Sequence, residues 1–342
     1  MKFGVLQFFS WPGRRVPLAT VYDRAFQRME IMDKTGYDAV WLAEHHFSTY
    51  SVCPSVHMMG THIAARTEKL RIGMAVSLAS FYHPLRLAEE VALLDNLSGG
   101  RVNWGAGRGF DPTEHKVFGV EPKESYPRFR EAVEIVLKAW NNDKVNHTGE
   151  FWHFKDVEVL PKPFQDPMPV WLAASSLEAL EWSASEGHSI MMDPHATHAE
   201  ISKKRSFYKE TLEGAGFSIA GRDIPMARTL AMGATEAEAR KVGQQGAEFM
   251  FGSYLRKKAN IRGTAAGAQK TVQVEALDQS LRDDDDPVAR YVNEIAICGT
   301  PEKVIDDIQE MQETLPLEYL MIAPLSHASF VMFTEKVLPR FL

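Results

Sequence analysis

The chain of 342 residues is 45% hydrophobic and 10% aromatic, enough to bury a large core without staples, and its two cysteines, Cys53 and Cys298, fall far short of a disulfide framework. Neither stands in a CxxC pair, which argues against zinc or thiol redox chemistry and fits a reducing cytoplasm. A net charge of -7 with no long basic run speaks against nucleic acid and anionic membranes as partners and leaves a small molecule as the expected ligand.

Lys2 to Phe8 reads as a first buried strand; the apolar run stops at Pro12-Gly13, too short for a membrane span and without a cleavage site. Val21, Ala25, Phe26, Met29 and Met32 then recur at helical spacing over about 18 to 36. Strands are expected at Asp38 to Ala43, Lys69 to Val76 and Arg101 to Ala106, with Leu87, Val91 and Leu94 marking the helix that ends at Gly99-Gly100. A helix near 126 to 141 presents Val133, Val136, Leu137 and Trp140, and alternating apolar residues around Gly149 predict a hairpin excursion. Further strands fall at Val170 to Ala174, Ser189 to Met192, Pro225 to Gly233 and Tyr319 to Ala323. Thr300-Pro301 supplies an N-cap and a first-turn proline for the helix before the last of them.

Eight strands with intervening helices predict an α/β fold, a (β/α)8 TIM barrel with the excursion hairpin, occupying 1 to 342 as one domain; an open doubly wound sheet would give much of the same pattern. The rhythm breaks over about 258 to 290, where Gly263, Gly267 and Asp283 to Asp286 show little periodicity, and this stretch is expected to be a long mobile lid loop.

In a barrel the polar residues just after each strand face the active site. Glu44-His45-His46-Phe47 follows the second strand, and alternation directs no more than one histidine into the pocket. A histidine there suits proton transfer near neutral pH. A metal site would need His195 and His198 as well, and the spacing does not match HExxH, so no metal is expected. Gly105-Ala106-Gly107-Arg108-Gly109-Phe110 misses GxGxxG by one position; its glycines suit close approach of a flat cofactor, and Arg108 offers a permanent charge to phosphate, or else a tight turn with a surface ion pair. Ala174-Ser175-Ser176-Leu177-Glu178 opens a helix; Ser175 and Glu178 read as a capping box, and the same helix start would also bind an anion. Phe8, Phe110 and His195 are pocket candidates, although apolar strand ends equally serve packing.

Across MKFG, GYDAVWLAEHHF, HPLRLAEEVALLDNLSGGRVNWGAGRG, PVWLAASSLEALEWSASEG and GTPEKVIDDIQ the chain resembles the bacterial luciferase family of flavin-dependent monooxygenases, particularly the alpha subunit. That resemblance implies a barrel that binds FMN as FMNH2, reacts it with O2 and oxidises a small organic substrate, such as an aldehyde, ketone or terpenoid, through a flavin C4a-hydroperoxide. By position it implies Arg108, Ser175 and Ser176 at the FMN phosphate, with Ala174 and Gly107 alongside, a cis peptide at Ala75-Val76 under the ring, and His45 with Glu44 as the catalytic pair. The alpha subunit's reactive cysteine is replaced by Gly107, a departure that bears on light emission and leaves the phosphate site intact; Glu114 stands where the family has aspartate. With no NAD(P)H fingerprint in the chain, a separate NAD(P)H:flavin reductase is the expected partner, and the family implies a homodimer. The rival readings are a coenzyme F420-dependent hydride-transfer oxidoreductase, a non-catalytic flavin-binding subunit and a metal-dependent hydrolase.

Overall fold

A computed structural model describes residues 1–192, 194–255 and 286–342. Its strands are β1 (Lys2–Gln7), β2 (Ala39–Leu42), β3 (Arg71–Met74), β4 (Ser77–Leu78), β5 (Val102–Gly107), β6 (Val145–Thr148), β7 (His153–Val157), β8 (Val170–Ala173), β9 (Ser189–Met191), β10 (Met226–Met232), β11 (Ile297–Gly299) and β12 (Tyr319–Pro324). All but β6 and β7 join one parallel sheet in the order β11-β10-β12-β1-β2-β3-β5-β8-β9, with β4 also paired to β5. The sheet curls: Met192, just past β9, makes a parallel bridge to Met226 at the start of β10, and its N–H donates to the Pro225 carbonyl at 3.0 Å.

Both faces of this sheet are buried, which is why its strands read as nearly unbroken apolar runs. Alternation sends Val5, Val40, Leu42, Ile72, Val102, Trp104, Leu172, Ile190 and Ile322 outward under the helices, and Leu6, Trp41, Trp171, Met191, Ala227, Tyr319 and Met321 inward. The inner cluster turns on Trp41, whose indole N–H donates to the Tyr319 hydroxyl at 2.9 Å while that hydroxyl donates to Asp38 at 2.7 Å. A Cβ on Gly73 would sit 2.3 Å from the Trp41 ring, so the neighbouring strand must carry glycine there.

The helices are α1 (Leu18–Lys34), α2 (Val56–Ala64), α3 (Pro84–Ser98), α4 (Pro112–Phe118), α5 (Ser125–Asn141), α6 (Leu177–Ser185), α7 (His198–Gly214), α8 (Glu236–Met250), α9 (Pro287–Glu294), α10 (Pro301–Thr314) and α11 (His327–Met332). Helix α1 buries Ala25, Met29 and Met32, α3 buries Leu87, Val91 and Leu94 and ends on Gly99 at φ 67°, and α10 starts on a Thr300 cap with Pro301 at its first position. Strands β6 and β7 form the expected antiparallel hairpin. Glu131 of α5 holds its turn, accepting the N–H groups of Glu150, Phe151 and Trp152 and a bond from His147. Among the described residues no helix is long and apolar enough to cross a membrane.

The local expectations and the structure differ in bounds at several points. The strand expected over Lys69 to Val76 is the shorter β3, which stops at Met74, and after Ala75-Val76 the separate strand β4 follows at Ser77–Leu78. The capping box at Ser175 and Glu178 is absent: Ser176 is the cap, accepting from Ala179 N–H, while Glu178 turns to Arg130 at 3.5 Å; a true capping box occurs at Thr197 and Glu200. Of the irregular segment expected at 258 to 290, residues 258–285 lie outside the described residues, and the remainder opens helix α9, capped by Asp286. Strand β11 was not anticipated, because three residues, Ile297 to Gly299, carry too little periodicity to register.

Candidate active site

The C-terminal ends of the strands surround a cavity of about 260 Å³. Leu6, Ala75, Val76, Ala173, Met191, Ala227 and Met321 give it an apolar floor, and Glu44, His45, Arg108, Ser175 and His195 bring polar groups to its walls. Gly107, Ala174 and Phe110 also line it. Ser176 and Phe8 do not: Ser176 spends its hydroxyl oxygen on the α6 cap, and Phe8 stands behind His45 with ring centroids 6.2 Å apart.

Past the end of β2 the two adjacent histidines part, His45 held in a single antiparallel bridge to Cys53. His45 reaches the cavity, wedged between Phe8 and the edge of Tyr50 at 5.0 Å, with Nδ1 3.9 Å from Glu114. His46 turns away, its Nε2 3.0 Å from Glu44 and its ring against Phe118. Glu44 is buried and fully engaged: beyond His46 it accepts the Tyr82 hydroxyl at 3.0 Å and the Leu78 N–H at 3.2 Å, tying the end of β2 to β4. Burial, and then the Glu44 charge, push the Tyr82 hydroxyl well above its ordinary value and keep it a neutral donor. Glu114 is also buried, and it accepts the His46 N–H at 2.9 Å. Its partnership with the EHHF segment links α4 to β2 across 68 positions, a distance in sequence no local motif reveals.

The Ala75–Val76 peptide bond is cis. Opposite it, a Cβ on Gly107 would fall 2.3 Å from Val76 Cγ2, so glycine allows the two strand ends to close on one another. Burial pushes the Cys53 thiol up to about 12, the Glu44 charge adding to the effect, and that thiol is inert near neutral pH.

At the other end of the cavity Arg108 belongs to a cationic cluster that sequence reasoning missed. Its guanidinium lies 5.9 Å from the Tyr126 ring, whose centroid is 4.3 Å from the Arg130 guanidinium; Arg130 in turn faces Trp182 at 5.1 Å. The Arg108 carbonyl accepts a bond from Ser80. Tyr126 and Arg130 stand one helical turn apart on α5, and that spacing was the available signal. The cluster and Ser175 flank the start of α6, where backbone N–H groups add positive potential. The donor set fits a phosphate monoester with a flat, apolar body beneath it. Among the described residues no group of three or more His, Cys, Asp or Glu side chains is arranged to hold a metal ion.

A parallel α/β sheet with a cavity at its carboxyl ends, cationic on one side and carrying an imidazole on the other, defines a class of small-molecule and cofactor-binding enzymes. Residues 1–318 match the model of the luciferase-like monooxygenases, and the chain belongs to that family. The flavin-dependent trigonelline monooxygenase oxygenase component of Acinetobacter baylyi is 30% identical over 197 residues, an alignment spanning about half of either chain, 56% of this one and 54% of the relative. The alkanal monooxygenase alpha chain of Aliivibrio fischeri is 25% identical over 90% of this chain and 88% of its own. Among solved structures, the monooxygenase RslO1 from Streptomyces bottropensis superposes with a TM-score of 0.82 at 27% identity, covering 100% of both chains.

Proposed function

We propose that this chain is an FMNH2-dependent monooxygenase that oxidises a small organic substrate, an aldehyde, ketone or terpenoid, with O2. The observation that carries the reading is one cavity joining an Arg108–Ser175 anion end to an apolar floor and an imidazole, in a chain of the luciferase-like family. We read the sheet as a single-domain (β/α)8 barrel of β1, β2, β3 with β4, β5, β8, β9, β10 and β12, its ends meeting at Met192 and Met226.

In this reading Arg108, Ser175 and the α6 N–H groups, whose helix start the Ser176 cap fixes, hold the FMN phosphate, and Ala75, Val76, Gly107 and Ala174 bound the ring. Bound reduced flavin supplies the redox chemistry with O2. His45 holds and moves a proton at the ring nitrogen facing the cavity, and the Glu44 and Glu114 carboxylates fix the backbone that presents it. Leu6, Met191, Ala227 and Met321 exclude water from the reacting atoms. A separate NAD(P)H:flavin reductase supplies FMNH2, a view supported by the description of the trigonelline relative as an oxygenase component.

Fluorescence titration with FMN, riboflavin and coenzyme F420 tests the cofactor, with FMN expected to bind most tightly. Oxygen uptake with NADH, a generic flavin reductase and a substrate panel tests the reaction. Preferential F420 binding overturns the reading in favour of hydride transfer, and FMN binding with no coupled product from any substrate favours a non-catalytic flavin protein. A His45→Ala enzyme that kept full coupled product formation would remove His45 from the mechanism.

A further inference from the structure

His195 sits across the cavity from His45 in a setting that the proton chemistry assigned to His45 does not use. It leaves the loop after β9 and is buried, yet it lines the cavity. Two other buried residues converge on it. Arg228 of β10 is fully buried, and its guanidinium donates to the carbonyls of Pro194 at 3.4 Å and Ala196 at 2.9 Å, the residues immediately before and after His195, and to Ala227 at 3.0 Å. Tyr291 of α9, 3% exposed, places its hydroxyl 3.1 Å from His195 Nδ1, and Phe251 packs edge-on against the Tyr291 ring at 5.9 Å.

A permanently charged guanidinium is costly to bury, and well-packed aliphatic side chains satisfy a core at least as well. What Arg228 provides that an aliphatic residue cannot is a fixed position for two carbonyls, and those two carbonyls bracket one histidine. The Tyr291 hydroxyl fixes the same ring from its Nδ1 edge, and with that hydroxyl as donor the ring proton lies on Nε2. The imidazole is thus held through both backbone and ring, the arrangement by which a functional group is kept in one geometry. An Nε2–H donor suits a carbonyl or hydroxyl oxygen and makes no particular use of an alkyl chain.

We propose that His195 is a substrate-binding imidazole that donates a hydrogen bond to an oxygen of a carbonyl substrate, with Tyr291 and Arg228 as the residues that position it. This rests on the monooxygenase reading for the identity of the cavity, and it narrows the substrate to oxygen-bearing compounds with the oxygen directed at the β9 side.

The test uses the full chain with FMN and two carbonyl probes, decanal and cyclohexanone. In ¹⁵N-detected imidazole spectra of the unreacted FMN complex, His195 is expected as the Nε2–H tautomer, and its Nε2 resonance moves when a probe is added; Tyr291→Phe redistributes the tautomer. In turnover, Tyr291→Phe is expected to raise KM for the accepted probe about 5- to 10-fold with FMN affinity unchanged within twofold, the loss of one neutral hydrogen bond. His195→Gln, which keeps a donor, recovers at least fivefold in kcat/KM over His195→Ala. An Nε2 resonance indifferent to both probes overturns the proposal, as do Gln and Ala variants of equal kcat/KM or a Tyr291→Phe change seen only in thermal stability. Wild type that binds a probe with the Nε2 shift but consumes no oxygen refutes the monooxygenase reading and leaves the carbonyl site standing.

Discussion

Gly107→Ala tests the packing beneath the candidate flavin site. The new Cβ would lie 2.3 Å from Val76 Cγ2 and 3.2 Å from Val76 Cβ, against an ordinary carbon–carbon separation of about 3.5 to 4.0 Å. Val76 cannot swing aside freely, because a β-branched side chain is stiff at its first torsion, and Ala173 Cβ waits 3.6 Å away on the next strand. Overpacking of this kind costs about 1 to 3 kcal/mol. Val76→Ala removes the obstructing methyls and on its own costs about 1 kcal/mol in lost burial. In the double variant the alanine at 107 occupies space that Val76 vacated, so the two costs do not add, and a coupling of at least about 1 kcal/mol in favour of the pair is expected. Urea unfolding of wild type, both single variants and the double variant gives the cycle, provided the slopes agree. A Gly107→Ala protein within about 0.5 kcal/mol of wild type, or a cycle additive to the same margin, would falsify the steric argument.

Arg108→Ala is expected to weaken FMN binding by about 10- to 100-fold, the worth of a charge-assisted hydrogen bond, and to leave riboflavin binding unchanged; fluorescence titration of both ligands reads the difference. Glu44→Gln sets an amide against donors from Tyr82, His46 and Leu78, and a loss of about 2 to 3 kcal/mol in unfolding free energy is expected by chemical denaturation. Burial would raise the Glu131 carboxyl, yet the N–H groups of Phe151 and Trp152 with His147 hold it below the ordinary 4.5. Because the folded value is the depressed one, its contribution is complete above about pH 4.5 and is lost as the pH falls through the folded value. Thermal midpoints measured from about pH 7 down to pH 3 are therefore expected to fall more steeply in wild type than in Glu131→Gln.

Elements whose cause is local were legible in the sequence. The face of α3 with Leu87, Val91 and Leu94, the Thr300-Pro301 start of α10 and the expectation that no more than one of the two adjacent histidines enters the cavity each follow from spacing within a few residues, while the choice of His45 came from the family resemblance. The Ser175 and Glu178 reading failed because two adjacent serines offer two registers for the same cap, and Arg130 on a neighbouring helix draws Glu178 away. Glu114 beside His45, Tyr291 on His195 and Arg228 under the β9 loop were beyond reach for a different reason. Each joins residues far apart in the chain, and their meeting depends on where the curled sheet brings its strand ends.

The β9–β10 contact is thinner than the rest of the sheet. β1 and β12 pair at four successive positions, whereas beyond the three residues of β9 a single Met192–Met226 bridge reaches β10. Local openings follow the least-paired backbone, so the Met192 amide should exchange with deuterated solvent well before those of β1. His195 stands three residues past that bridge. The Arg228 bonds to Pro194 and Ala196 cross the sheet where its backbone ladder is thinnest, so side-chain contacts rather than strand pairing hold the His195 wall of the cavity to β10.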